Sequence, residues 1–367
     1  MADNDKFSFT QYTDGVYFNG KAVATAFVSN TYANTAGTIG TQRIRFNAAE
    51  DSINFNDYTL SFTDDGFTFD GQIIAKDGFD QPKFQGSVSG YASGGNRPTV
   101  TNTVDKFPFS ADTNATDVGD LTQARDGVSG QSSTVSGYTS GGYNSTNLNT
   151  IDKFSFSTDG NATDVGDLTQ TRRLPAGQSS TTSGYSSGNN LPLSTTIDKF
   201  PFSADTNATN IGDLTVARYG SAGQSSSVSG YTSGGFASPV VNTIDKFSFA
   251  TDASATDVGD LTIARIEIAG QSSETSGYSS GGNTPPSVNT IDKFPFSADA
   301  NATDVGDLTF ARYGSAGQSS NVSGYTSGGF APPRVNIVDK FPFAVDASAA
   351  DVGDLTQIRT SAAGQQV

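Results

Sequence analysis

The sequence predicts an all-β fold, a six-bladed β-propeller closed by its C-terminal strand and preceded by a small N-terminal β domain. Three observations carry this. A unit of about 47 residues recurs six times over residues 85–367, as in the step from Ser89 to Ser136. Each unit holds four short segments with strand signals, separated by glycine-rich turns. The chain also ends on a segment, Ser361 to Val367, that has no following Tyr strand, while the first Tyr strand, at Tyr91, has only a poor inner-strand match before it.

The elements follow in a fixed order. A unit opens after Leu-Thr-x-Ala-Arg, which ends at Arg125, Arg218, Arg265 and Arg312, with variants ending at Arg172 and Arg359. After a short variable stretch comes Gly-Gln-Ser-Ser, as at Gly130 to Ser133. Small residues suit the innermost strand, where the blades crowd around an axis. The second strand reads Ser-Gly-Tyr-x-Ser-Gly and starts at Ser89, Ser136, Ser183, Ser229, Ser276 and Ser323. Paired glycines such as Gly141 and Gly142 end it, since glycine adopts backbone angles closed to other residues. A loop of about eight residues leads to the third strand, Ile-Asp-Lys-Phe-x-Phe at Ile151 to Phe156. Phe154 and Phe156 are two apart and project from one face, with Ile151 and Lys153 on the other. Turn residues around Asp159 to Asn161 follow, and Val165 and Leu168 mark a fourth strand.

A lone blade cannot bury both faces of its sheet, so its neighbours must cover them. Joining Ser361–Val367 to the first blade closes the ring and removes exposed edges. A seven-bladed alternative would borrow Asp5-Lys6-Phe7-Ser8-Phe9, which echoes the third strand without a Tyr-Gly-Gly segment. Residues 1–84 fall outside the repeat but alternate like strands at Arg43–Phe46 and Tyr58–Phe62, with turn signals at Asp64-Asp65-Gly66 and Asp70-Gly71 around Phe67 and Phe69. They read as a separate β domain joined near Lys76–Lys83, serving either to anchor the propeller or to cap one of its faces.

Composition removes whole classes of function. The chain has no Cys and no His, so disulfides, thiol nucleophiles, Ser-His-Asp triads and His-ligated metals are excluded. The net charge of -16 and the absence of a Lys/Arg cluster argue against nucleic acid and anionic membranes. No apolar run is long enough to span a bilayer. Met1–Thr10 lacks a signal-peptide core, which implies synthesis in the cytoplasm.

Candidate chemistry is sparse. The Asp112–Asp120 turn lacks the ligand spacing and distal Glu of a calcium loop and reads as turn chemistry. The Asn-Ala-Thr sequons at Asn114, Asn161, Asn207 and Asn301 read the same way. The six recurring Arg could ring one face and bind an anionic ligand, but the expected role is structural: pairing with a carboxylate of the neighbouring blade, for which the Asp of Asp-Lys-Phe is a candidate. These carboxylates recur in most blades, whereas a catalytic site should be unique, so no catalytic residue, metal or cofactor is assigned and the protein is expected to be non-enzymatic. Two stretches vary while the rest barely changes: the loops after the paired glycines and the residues after each Arg, among them Tyr219, Ile266, Glu267 and Tyr313. Asp105–Arg125 and Asp292–Arg312, by contrast, differ at two positions only. Loops on a rigid scaffold are where recognition sits. The candidate binding residues are Arg97, Tyr143, Phe236, Phe330, Arg334, Tyr219 and Tyr313. The competing reading is drift at unconstrained loop tips after duplication.

The repeat resembles the kelch family of β-propellers across residues 85–367. The shared features are the Arg after a short polar strand (Arg125), the aromatic followed by paired glycines (Tyr138, Gly141, Gly142) and the third-strand aromatic (Phe154). Val165 stands near the place of the kelch tryptophan, and the turn after the third strand is longer. The phrases Asp-Lys-Phe-Pro-Phe and Asn-Ala-Thr-Asp-Val-Gly-Asp also resemble repeats of virion structural proteins of marine tailed phages. That resemblance implies a virion location as tail fibre, spike or decoration. It also implies attachment to other virion proteins through residues 1–84 and contact with a host-surface glycan or protein through the propeller loops. A glycan-binding or glycan-cleaving propeller and an intracellular interaction scaffold are the alternatives.

Overall fold

A computed structural model describes residues 85–367 throughout and, ahead of them, the backbone of nine short strands between Phe9 and Ala75. The chain divides into two compact units, Met1–Gln81 and Pro82–Val367. In the first, Phe9–Tyr12, Gly15–Phe18 and Lys21–Ala24 form one antiparallel sheet. Six consecutive strands from Gly37–Ile39 to Gln72–Ala75 form a second, and Phe62 faces Phe67 across the hairpin expected there. The Lys76–Lys83 joint and the turns at Asp64-Asp65 and Asp70-Gly71 lie outside the described residues.

The second unit is a six-bladed β-propeller without a helix among the described residues. In blade two the strands run Ser129–Ser132 (inner), Ser136–Ser140 (second), Thr146–Ser155 (third) and Thr163–Arg172 (outer), each antiparallel to the last. Blades three to six repeat this order from Ala176, Ala222, Ala269 and Ala316. Blade one takes its inner strand, Ala363–Gln366, from the far end of the chain, with Gly90 opposite Gln366 and Ser93 opposite Ala363. The inner strands neighbour one another in a closed cycle of six. This excludes the seven-bladed arrangement; Phe9 belongs instead to a strand paired with Gly15–Phe18.

Packing between blades explains the repeat wording. Tyr138 of blade two stacks on Phe202 of blade three at 4.9 Å and tilts against Phe200 at 5.5 Å. The same triple recurs at every interface and closes with Tyr325 on Phe107 and Phe109 of blade one. Such ring pairs contribute roughly 0.5–1.5 kcal/mol beyond their burial. The glycine before each tyrosine has a local cause: a Cβ on Gly137 would enter the ring of Phe154 in its own blade. Val165 packs beside Tyr138, Ile151 and Phe200. At the axis, a Cβ on Gly130 would overlap the carbonyl oxygen of Gly364, and one on Gly177 that of Gly130. Small inner-strand residues are therefore a steric demand. The glutamine beside each glycine ties blades together, Gln131 Nε2 donating to the Tyr185 carbonyl at 2.9 Å.

The recurring arginines take the expected partner. Arg125 and Asp152 sit 3.1 Å apart with both side chains fully buried, and the pair recurs in all six blades, Arg359 with Asp105 being the sixth. The Thr122 N–H and hydroxyl donate to the same carboxylate at 2.9 and 2.7 Å, so Asp152 clamps the segment entering its blade. Burial pulls each guanidinium below its ordinary range and the facing aspartate opposes this. At the periphery Lys153 reaches Asp205 of the next blade at 2.8 Å. Asn161, from a sequon, accepts from the Asp120 N–H of the blade before at 3.0 Å. The Asp-rich turn of blade one serves the same purpose: Asp112 pairs with Lys340, Asn114 accepts from the Asp354 N–H, and Asp117 accepts from the Gly119 N–H. Among the described residues no group of acidic side chains is arranged to hold a metal ion.

Candidate functional site

The two ends of the propeller differ. At one end lie the hairpins between inner and second strands and the turns between third and outer strands. They keep their length and vary at single positions, such as Thr134, Ser227, Glu274 and Asn321, with valines 88, 135, 228 and 322 exposed. The chain enters the propeller here. Gly86 N–H donates to Ser319 O at the foot of blade six, and Val88 N–H to Val367 O. The other end gathers the longer variable stretches. The loop after each glycine pair bridges to the residue after the recurring Arg, Asp126 with Tyr143, Tyr219 with Phe236, Ile266 with Asn283 and Tyr313 with Phe330. The two variable stretches of the sequence thus form one surface around the axis.

All seven candidate binding residues lie at this end and all are half-buried. They are partners of one another more than free tips. Tyr219 and Phe236 meet at 5.4 Å between ring centroids, and Tyr313 and Phe330 at 5.3 Å. The Arg334 guanidinium lies 5.8 Å from the Phe330 ring and donates to Asn96 Oδ1 at 3.1 Å. Tyr143 is covered by a residue the candidate set lacked: the Arg173 guanidinium sits 4.3 Å from its ring centre. Arg97 shares the loop of Asn96 and has a buried Nε without a hydrogen-bond partner.

Sequence reasoning missed three groups of consequence. Asp126 is buried, accepts from Asn96 Nδ2 at 2.9 Å and stands 3.5 Å from Arg173. Arg173 therefore bridges Asp126 and the Tyr143 ring. Glu267, noted only as variable, stands at the mouth of the axial channel. Comparing the six units position by position, and asking which residues occur in one blade only, would have found all three.

The mouth itself is a ring of backbone. The second residue after each recurring Arg (Gly127, Leu174, Gly220, Glu267, Gly314, Ser361) has φ between +54 and +65°. Each donates its N–H to the carbonyl of the equivalent residue in the blade before, from Gly127 to Ser361 at 2.9 Å through Ser361 to Gly314 at 2.6 Å. Six bonds close a circle. Three members are glycine, which accepts this conformation freely; Leu174, Glu267 and Ser361 accept it at a cost. A cavity of about 110 Å³ along the axis is lined by this ring and the inner strands.

Burial pushes the Glu267 carboxyl above the ordinary glutamate range; nearby Asp126 adds to the shift and Arg173 opposes it. The Tyr219 and Tyr313 hydroxyls are raised as well, by burial first and then by Glu267. Chemically the face offers paired aromatic surfaces, one bridged Asp–Arg pair and a single carboxylate at the axis. No protein-family model matches the chain, and no curated protein matches it.

Proposed function

We propose that this chain is a non-enzymatic structural protein of a tailed-phage virion, attached through residues 1–84 and displaying the variable end of its propeller to a host surface. The observation that carries this reading is the division of labour between the two ends. Variation among the six blades is greatest at one end, and that end concentrates the paired aromatics and charged groups suited to recognition. Gly86 and Val88, at the start of the propeller, are bonded at the opposite end. The likeness of the repeat phrases to virion structural proteins supplies the setting. The recurring aspartates are spent on Arg and Lys partners, which supports a structural over a catalytic use.

Sedimentation of the source lysate, with antibody labelling of the heaviest fraction in electron micrographs, tests the proposal. The chain should travel with particles, and labelled particles should adsorb to host cells less well in the presence of excess isolated chain. A chain that stays at the top of the gradient as a small species overturns the virion reading.

A further inference from the structure

The axial mouth holds one carboxylate that the repeat does not explain. Glu267 takes the left-handed conformation that Gly220 and Gly314 take in the blades on either side. Gly314 leaves space beside it: a Cβ there would lie 3.1 Å from Glu267 Oε2. The same two blades carry matching aromatic pairs, Tyr219 with Phe236 and Tyr313 with Phe330. Among the described residues no side chain donates a hydrogen bond to the Glu267 carboxylate. Arg173 Nε and Asp126 Oδ1, also at this end, are buried without a hydrogen-bond partner. A half-buried acceptor at the axial cavity and two aromatic pairs whose tyrosines feel its charge therefore lie together at this end.

We propose that this mouth binds a neutral sugar residue of a surface glycan, with Glu267 accepting hydrogen bonds from its hydroxyls and the two aromatic pairs supplying apolar surface on either side. The proposal rests on the host-contact reading and gives it a ligand class. Charge bears on the class. Arg173 is paired with Asp126 and leaves the Glu267 carboxylate uncompensated; an anionic ligand would meet both carboxylates, and a cationic one would meet Arg173 beside Glu267. A neutral ligand rich in hydroxyl donors, with apolar C–H faces, satisfies the carboxylate without adding charge to a partly desolvated site. Hydrogen bonds to a charged acceptor are the strong ones, so Glu267 should dominate affinity. Burial favours the protonated carboxyl, so binding should weaken as pH falls and Glu267 loses its charge; Arg173, Asp126, Tyr219 and Tyr313 are the charged and titratable groups coupled to it.

The test uses the full chain on an array of neutral hexose and N-acetylhexosamine oligosaccharides beside sialylated and sulfated ones, with hits titrated calorimetrically. Neutral glycans should be retained. Glu267→Gln, which preserves shape, should weaken them at least about tenfold with an unchanged melting temperature or a higher one. Tyr219→Ala should weaken them by a smaller factor, and Val135→Ser, at the opposite end, should leave them unchanged. Binding of acidic glycans alone, binding of none, or neutral binding that survives Glu267→Gln overturns the proposal. If the chain cosediments with particles and adsorbs to cells while the array is blank, display stands and the sugar site falls.

Discussion

Two rings of six residues circle the propeller axis three positions apart in sequence, and only one of them is all glycine. In the inner-strand ring (Gly130, Gly177, Gly223, Gly270, Gly317, Gly364) a Cβ would run into the backbone of the neighbouring blade. In the mouth ring all six residues have positive φ, yet Leu174, Glu267 and Ser361 stand where Gly127, Gly220 and Gly314 stand elsewhere. A steric overlap with backbone has no cheap escape, so the sequence is uniform there. A left-handed backbone costs only about 1–2 kcal/mol for a non-glycine residue, so side chains are affordable where they serve something.

The sharpest way to break this comparison is one methyl group in each ring of the same blade. Gly223→Ala should cost more than about 4 kcal/mol or abolish cooperative folding, because the new Cβ meets the Gly177 backbone. Gly220→Ala should cost about 1–2 kcal/mol, the conformational penalty alone. Denaturant titration of the two variants reads the difference directly, and equal losses would show that both rings are steric.

A second contrast separates the ion pairs by depth. In blade four Arg218 and Asp245 are fully buried at 3.0 Å, and the Thr215 N–H and hydroxyl complete the carboxylate's bonds. Asp245→Ala should cost about 3–5 kcal/mol, since it strands a buried guanidinium. Lys246 and Asp299, 2.9 Å apart and 30% and 60% exposed, form the outer counterpart. Lys246→Met should change stability by less than about 1 kcal/mol, and by less still at high salt. A large, salt-sensitive loss at Lys246 would make the outer ring as important as the inner one.

Most of the frame was legible because each strand carries a steric or pairing requirement that repeats. Phe154 and Phe156 two apart, Gly137 before Tyr138, and Asp152 waiting for Arg125 each have one structural solution, and six copies made the pattern plain. Closure by Ser361–Val367 followed from counting segments. The mouth was not legible. Left-handed backbone at Leu174 and Glu267 carries no residue signal when only half of the equivalents are glycine. Tyr143 and Arg173 meet across two blades, which spacing within a unit does not reveal. The seven candidates were found as variable residues, and their pairing into a surface came from the bridges between loops.

The finest test of the comparison is to return Glu267 to the residue its neighbouring blades use. Glu267→Gly should raise stability. Relief of the left-handed backbone is worth about 1–2 kcal/mol, and the extra chain entropy of glycine takes back about 0.5–1 kcal/mol. A net gain of about 0.5–1 kcal/mol remains, before counting release of a half-buried charge. Glu267→Gln keeps the backbone cost and isolates that charge. Since burial raises the folded-state value of this carboxyl, the folded chain holds the proton more tightly than the unfolded chain. The resulting stabilisation is fully present below the unfolded value and is lost as pH rises through the raised folded one. The advantage of Glu267→Gln over the natural chain should therefore be greatest near neutral pH and fade as pH falls through the glutamate range. Melting curves across that range check the sign. A Glu267→Gly variant less stable than the natural chain at neutral pH would mean that the side chain is part of the frame, and that the mouth ring, like the inner ring, is held by packing.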